Sequence, residues 1–179
     1  GKPAAPGTLS CVSALSATFD LPESAHESLR RKALADWIVD PRNPLTWRSI
    51  VNRVWRHHFG QGLVDTPNDF GRMGSPPTHP ELLDRLAADF RDGGGSIKAL
   101  HRLIVTSAAY RRSSARDERA ARIDADNRLL WRQNRRRLDA ETVRDSVLLA
   151  SGRLDRTMGG ASVRQFDLGP GVHVTPTVN

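Results

Sequence analysis

The sequence predicts a mainly α fold, an irregular bundle of five or six helices joined by long coil segments. Apolar residues recur at three- and four-residue spacing in several stretches. Those stretches begin at helix-start residues and end at Gly or Pro. Alternation of period two is confined to short pieces near the two ends, at Leu9, Val12 and Leu15 and again at Val172-His173-Val174, where an edge strand could form. At 179 residues the chain is one domain's worth, with room for an appendage at most.

Residues 1–23 are rich in Pro, Ala and Ser and read as coil or linker. Ser24 and Glu27 have the spacing of a capping box ahead of Leu29, Ala33, Leu34, Trp37 and Ile38, and Asp40-Pro41 ends that helix. Asn43-Pro44 supplies a cap followed by Pro in the first turn. Ile50, Val51, Val54, Trp55 and Phe59 then share one face until Gly60 closes the helix. The loop from Gly60 to Pro77 is dense in Gly and Pro. Thr78 and Glu81 read as a second capping box, with Leu82, Leu83, Leu86 and Phe90 behind it and Gly93-Gly94-Gly95 as the stop. Ser96 caps the next helix, whose apolar face is Ile97, Leu100, Leu103, Ile104 and Ala108. Arg111 to Asp126 reads as a polar linker, and Leu129, Leu130 and Trp131 as the centre of a short helix. The last helix starts at Asp139, with Leu138 and Val143 spaced as a hydrophobic staple, Val147 and Leu148 continuing the stripe, and Gly152 near its end. No repeat of 20–50 residues interrupts this plan.

Hydrophobic content of 38% allows a modest core, and no apolar run approaches the roughly 18 residues of a membrane span. Cys11 is the only cysteine, which excludes an internal disulfide and a Cys-x-x-Cys-His haem attachment within these residues. The net charge of +7 is local. Between Arg111 and Arg137 ten arginines face four acids, and the rest of the chain is nearly neutral. The basic residues are 24 Arg and 3 Lys, a skew that codon composition can produce without selection for phosphate.

The run Arg31-Lys32-Ala33-Leu34-Ala35-Asp36-Trp37, then NPLTWRSIVNRVWRHHFGQGLVDTPNDFGRMG, resembles a planctomycete protein family. So do THPELLDRLAADF, IKALHRLIVTSAAYR and DNRLLWRQNRRRLDAETVRDSVLLASGRLD. The family is a domain of unknown function, number 1553, and the resemblance covers roughly Ser24 to Asn179. It implies a C-terminal position in large, exported proteins, periplasmic or at the cell surface, behind a cytochrome c-like segment and a second unassigned domain. Haem c would then lie elsewhere in the full-length protein, with no cofactor in this stretch. The family pattern continues beyond Asn179, so residues 24–179 are expected to be the N-terminal part of a truncated domain. The partners it implies are the other domains of the same polypeptide.

Two groups of residues are candidates for a site. The first is the loop after His57-His58, with Asp65, Asp69, Arg72 and His79. Adjacent helix positions diverge by about 100°, so His57 and His58 cannot chelate one ion from a regular helix. His58 follows Val51, Val54 and Trp55 onto the inner stripe and reads as a hydrogen-bonded histidine at the core edge. Asp65-Thr66-Pro67-Asn68-Asp69 places Pro67 where a calcium loop needs an oxygen ligand, and turn chemistry explains it. Glu81 and Asp84 suit the first turns of a helix, where its dipole favours them. Ser107 and Ser113-Ser114 lie outside any nucleophile-elbow pattern, so no catalytic residue and no metal ligand is assigned. Trp37 and Trp55 read as core, while Trp47 and Trp131 sit on mixed faces that could stack on sugars or partners.

The second group is Arg128, Arg132, Arg135 and Arg136, which fall on one face if their segment is helical. Such a band holds oxyanions by charge and bidentate hydrogen bonds, or it pairs with Asp124, Asp126, Asp139 and Glu141 as a structural face. The resulting expectation is a non-enzymatic docking or anionic-ligand-binding module, with an anionic polysaccharide as ligand. The alternatives are a redox-accessory or hydrolytic domain using the loop after His57-His58, and nucleic-acid binding through the Arg128–Arg137 face. An exported location disfavours nucleic acid.

Overall fold

Asn43 shows how local chemistry starts the central helix. Its Oδ1 accepts from the Leu45 N–H at 3.1 Å while its Nδ2 donates to the Trp37 carbonyl at 3.1 Å, so one fully buried amide caps a helix and holds the end of the preceding one. In the computed structural model, which describes residues 7–160 and the short segments Phe166–Asp167 and Thr177–Val178, six helices follow one another. They are α1 (Glu27–Val39), α2 (Pro44–Phe59), α3 (Pro80–Asp92), α4 (Ile97–Thr106), α5 (Glu118–Ile123) and α6 (Ala140–Ala150). The fold is mainly α. The chain divides into two units, Gly1–Arg136 and Arg137–Asn179.

In the first unit α2 packs against α3 and α4, which also touch each other. Val51, Trp55 and Phe59 of α2 meet Leu83, Leu86 and Phe90 of α3 and Leu100 and Ile104 of α4. Leu63 and Val64, from the loop after α2, close the same core. Each such side chain contributes roughly 1.5–3 kcal/mol by leaving water. Trp55 stacks on Phe59 with ring centroids 4.2 Å apart, and Tyr110 meets Phe59 edge-on at 5.7 Å. Trp47, for which the sequence left stacking on a partner open beside packing, packs: it tilts over Phe90 at 6.2 Å and donates to the Asp40 carbonyl at 3.3 Å.

α1 departs from expectation. None of its residues is buried, and Leu29, Leu34, Ile38 and Val39 are exposed. Trp37, expected in the core, is only partly covered. The helix is held at its C-terminal end, where Thr46 Oγ1 donates to the Ile38 carbonyl at 2.6 Å. Beside it Arg42 grips both Asp40 oxygens, at 3.0 and 2.8 Å, and these hydrogen bonds bring the Asp40 carboxyl down to about 2. Replacing Asn43 by Ala removes both the cap and the clasp on α1. The expected loss is about 1–2 kcal/mol in urea unfolding, with far-UV helicity falling in proportion to α1.

Neither capping box forms. His26, not Ser24, is the N-cap of α1, its Nδ1 accepting from the Ser28 N–H at 3.3 Å. His79, not Thr78, sits at the N-cap of α3 and makes no side-chain cap bond, its Nδ1 lying against Thr78 Oγ1, while Thr78 is drawn away to the Leu63 carbonyl. The Asn43, Ser96 and Asp139 caps do form. The polar linker contains α5, capped by Asp117, whose Oδ1 accepts from the Arg119 and Ala120 N–H groups.

The short helix expected around Leu129–Trp131 is absent. Asp124 accepts from the N–H groups of Arg128 and Leu129, and Asn127 Oδ1 accepts from the Arg132 N–H at 3.1 Å. These side chains take the donors that a helix would use. Asn127 and Leu130 adopt φ of 55° and 57°. Asn tolerates that region, whereas Leu130 is strained, and its packing against the core offsets the strain. Trp131 is partly covered and donates to the Asp124 carbonyl at 2.8 Å.

In the second unit, Asp139 Oδ1 accepts from the Thr142 N–H at 2.6 Å to start α6, and the Thr142 side chain together with this N–H keeps the Asp139 carboxyl below its usual range. Leu138 and Val143 are 56% and 49% exposed, so the staple is not closed. Gly152, with φ of 71°, follows the helix end. Two-residue strands β1 (Phe166–Asp167) and β2 (Thr177–Val178) pair antiparallel. The alternation at Val172-His173-Val174 lies outside the described residues.

An arginine-lined cleft as candidate functional site

The last turns of α2 send side chains in two directions. Asn52, Trp55 and Phe59 face inward, while Arg53, Arg56 and His57, at i, i+3 and i+4, are exposed on the outer face. His57 and His58 therefore part company, as helix geometry requires. His58 is half-buried against α4, its Nε2 2.6 Å from His101 Nδ1. Its ring meets His101 and Tyr110 edge-on at 4.8 and 5.6 Å. Burial, with the charges of His101, Arg136 and His57 added, pushes the His58 imidazole below its ordinary range.

Gly60 ends α2 with φ of 85° and its N–H donates to the Arg56 carbonyl. It has a second role. A Cβ at this position would lie 2.8 Å from Cδ of Arg136, so the aliphatic stem of Arg136 crosses the chain where a side chain is missing. Arg136 thereby joins Arg53, Arg56, His57 and Pro67 around an open cleft of about 340 Å³. No carboxylate lines it among the described residues. None of its three arginines forms an ion pair among the described residues, although Arg53 Nη2 donates to Asn68 Oδ1 at 2.9 Å. The carbonyl end of α2 offsets part of this positive charge. Three forked guanidiniums without acid partners are suited to oxyanions, which accept paired N–H bonds.

The loop floor is rigid for reasons internal to the chain. Fully buried Asn52 donates through Nδ2 to the Val64 carbonyl and accepts the Val64 N–H on Oδ1, both at 2.9 Å. The side-chain amide thus stands in for the edge of a strand. Gly62 is required beside it, because a Cβ there would run into the Val64 carbonyl and sit 2.8 Å from Asn52 Oδ1. Further along, Thr66 Oγ1 donates to the Asp69 carbonyl at 2.7 Å and accepts from the Ser75 N–H at 2.9 Å.

The two candidate groups share only part of this site. His57 and Arg136 line the cleft together. Asp69 is engaged in a turn, Oδ1 accepting from the Gly71 N–H at 2.8 Å. His79 Nδ1 lies 3.0 Å from Thr78 Oγ1. Asp65 and Arg72 are exposed and make no side-chain hydrogen bond among the described residues. No group of three or more His, Cys, Asp or Glu residues is placed to hold a metal among the described residues. The helical band of Arg128, Arg132, Arg135 and Arg136 does not exist, because its helix does not form. The Arg132 guanidinium lies over the Trp131 ring at 5.1 Å, and Arg128 borders a separate crevice beside Trp55, Phe59 and Asn127. Arg135 is exposed and does not line the cleft.

Sequence reasoning missed Arg53, Arg56, His101 and the two amide clasps at Asn52 and Asn127. The outer-face spacing of Arg53, Arg56 and His57 was a readable signal. The meeting of residue 56 with residue 136 was not. No helix among the described residues is long and apolar enough to cross a membrane. Comparison with curated proteins and with solved structures finds no match. A family pattern does match, over residues 30–174, most of the chain. The chain therefore belongs to PSD1, a family of proteins of unknown function (DUF1553).

Proposed function

We propose that this domain is a non-enzymatic docking and anionic-ligand-binding module, taking oxyanions in the cleft of Arg53, Arg56, His57 and Arg136. One observation carries the reading: three arginines converge on a cleft where, among the described residues, they have no acid partner and no carboxylate lines the wall. A sulfated or otherwise anionic polysaccharide is the preferred ligand, since an extended polymer can lie across an open cleft. The family resemblance supports the wider setting, an exported, periplasmic or cell-surface planctomycete protein carrying cytochrome c-type haem in another domain. Contacts with those other domains use the same module.

The test is retention on immobilised heparin over a salt gradient. Replacing Arg53, Arg56 and Arg136 by Gln together is expected to weaken binding by about tenfold or more, since exposed ion pairs contribute up to ~1 kcal/mol each. Replacing Arg128 and Arg135, equally exposed but outside the cleft, should change it little. Equal losses from the two sets would overturn the assignment of the cleft and leave only diffuse charge. Competition by a short DNA duplex as effective as heparin would favour the nucleic-acid reading instead.

A further inference from the structure

We propose that His58 and His101 form a proton-sensitive latch between α2 and α4, closed by the bond between their rings and opened when both rings are charged. The contact is separate from the cleft lining, but Arg136 and His57 act on His58 as well as lining the cleft, so the latch is tested on the ligand-free protein. Its geometry is specific: Nε2 of His58 and Nδ1 of His101 face each other at 2.6 Å across two helices. At that separation one nitrogen donates and the other accepts. A neutral pair satisfies this. A pair with one extra proton also does, since the charged ring donates to the lone pair of the neutral one. With a second proton both facing nitrogens carry hydrogen, and the bond is lost.

The surroundings oppose that second charge. The groups facing His58 are His57 on α2, His101 on α4, Tyr110 just past α4 and Arg136 from the loop after α5. Three of these carry or can carry positive charge. Among the described residues no carboxylate bonds to either ring. Partial burial acts in the same direction, lowering the affinity of His58 for protons. The sign follows by linkage. A histidine that binds protons less readily folded than unfolded adds stability above its ordinary range near 6.5, lost as pH falls toward the folded value. Leu100 and Ile104 keep α4 on the core by burial, so opening loosens α4 without detaching it.

The two nitrogens sit closer than a shared metal would hold them. Tetrahedral bonds of about 2.0–2.1 Å put ligand nitrogens more than 3 Å apart, and the cationic neighbours disfavour a metal ion as they disfavour the second proton.

The experiment is an NMR titration of the wild-type histidine rings together with amide hydrogen exchange in α4, corrected for intrinsic rates. Coupled ring titrations are expected, with the last step below the ordinary histidine range. Exchange at Leu100–Ile104 should quicken about tenfold relative to α3 between about pH 7.5 and 5.5, because over that interval the open pair takes up one more proton than the closed pair. His101→Gln, whose amide can bond to His58 without binding a proton, should fold at neutral pH and lose this pH dependence. Independent titration of both rings near the ordinary value, or unchanged exchange in the wild type, overturns the latch, and neither result requires a variant to fold. Stoichiometric Zn²⁺ that shifts both rings and abolishes the pH dependence also overturns it, reassigning the pair as metal ligands.

Discussion

Asn52→Ala should destabilise the protein by about 3 kcal/mol, since each backbone group left buried without a partner costs roughly 1–3 kcal/mol. The side chain is 0% exposed and holds both the N–H and the carbonyl of Val64, itself 2% exposed. Alanine leaves both groups buried without the amide that now pairs them. Asn52→Asp is the informative companion. It keeps an acceptor for the Val64 N–H but sets a second oxygen against the Val64 carbonyl and buries a charge, so it should be no better than alanine. Urea unfolding followed by tryptophan fluorescence reads both, because Trp55 is one turn away in the same core. A loss under 1 kcal/mol for Asn52→Ala would mean that the loop closes by other means. Gly62→Ala should approach the same loss by a different route, pushing a methyl into the amide that Asn52 uses.

That clasp also marks the limit of what the sequence discloses. Helix starts at Asn43-Pro44, Ser96 and Asp139 were legible because the chemistry is local: an oxygen reaches an N–H two or three residues on. Ser24 and Thr78 had the same spacing and failed. Thr78 has a distant use, its N–H and hydroxyl both reaching the Leu63 carbonyl, and spacing alone cannot report it. Asn52 reads as a polar interruption of an apolar face. Its partner lies across the Gly60–Pro77 loop, and only the closed fold shows that it serves the backbone. The arginines at 128, 132, 135 and 136 had helical spacing without a helix, because the cap-forming side chains Asp124 and Asn127 diverted the backbone before any turn could propagate. Short-range competition of that kind defeats a periodicity argument built only on the charged residues. For the site, one wall was readable, on the outer face of α2. The other depended on Arg136 crossing Gly60.

Asn127→Ala tests whether fold and cleft are joined as the structure draws them. Asn127 is 1% exposed, donates to the Arg132 carbonyl at 2.8 Å and to Asn134 Oδ1 at 3.0 Å, and accepts the Arg132 N–H. Alanine removes all three bonds and also places a β-carbon at φ of 55°, where a residue other than Gly or Asn pays roughly 1–2 kcal/mol. The expected loss is about 2–4 kcal/mol. Asn127→Gly separates the causes: it relieves the backbone while losing the same bonds, so it should recover about 1 kcal/mol. The second readout is functional. Residues 132–134 are what this amide fixes, and Arg136 follows directly. Both variants should therefore lose heparin retention under conditions where they remain folded, and Asn127→Gly should lose it as fully as alanine despite its higher stability. If retention instead tracked stability, Arg136 would be positioned by its own contact with Gly60, and the loop would be a passive tether. Gly60→Ala then becomes the decisive variant, because it displaces the Arg136 stem while leaving the Asn127 bonds intact.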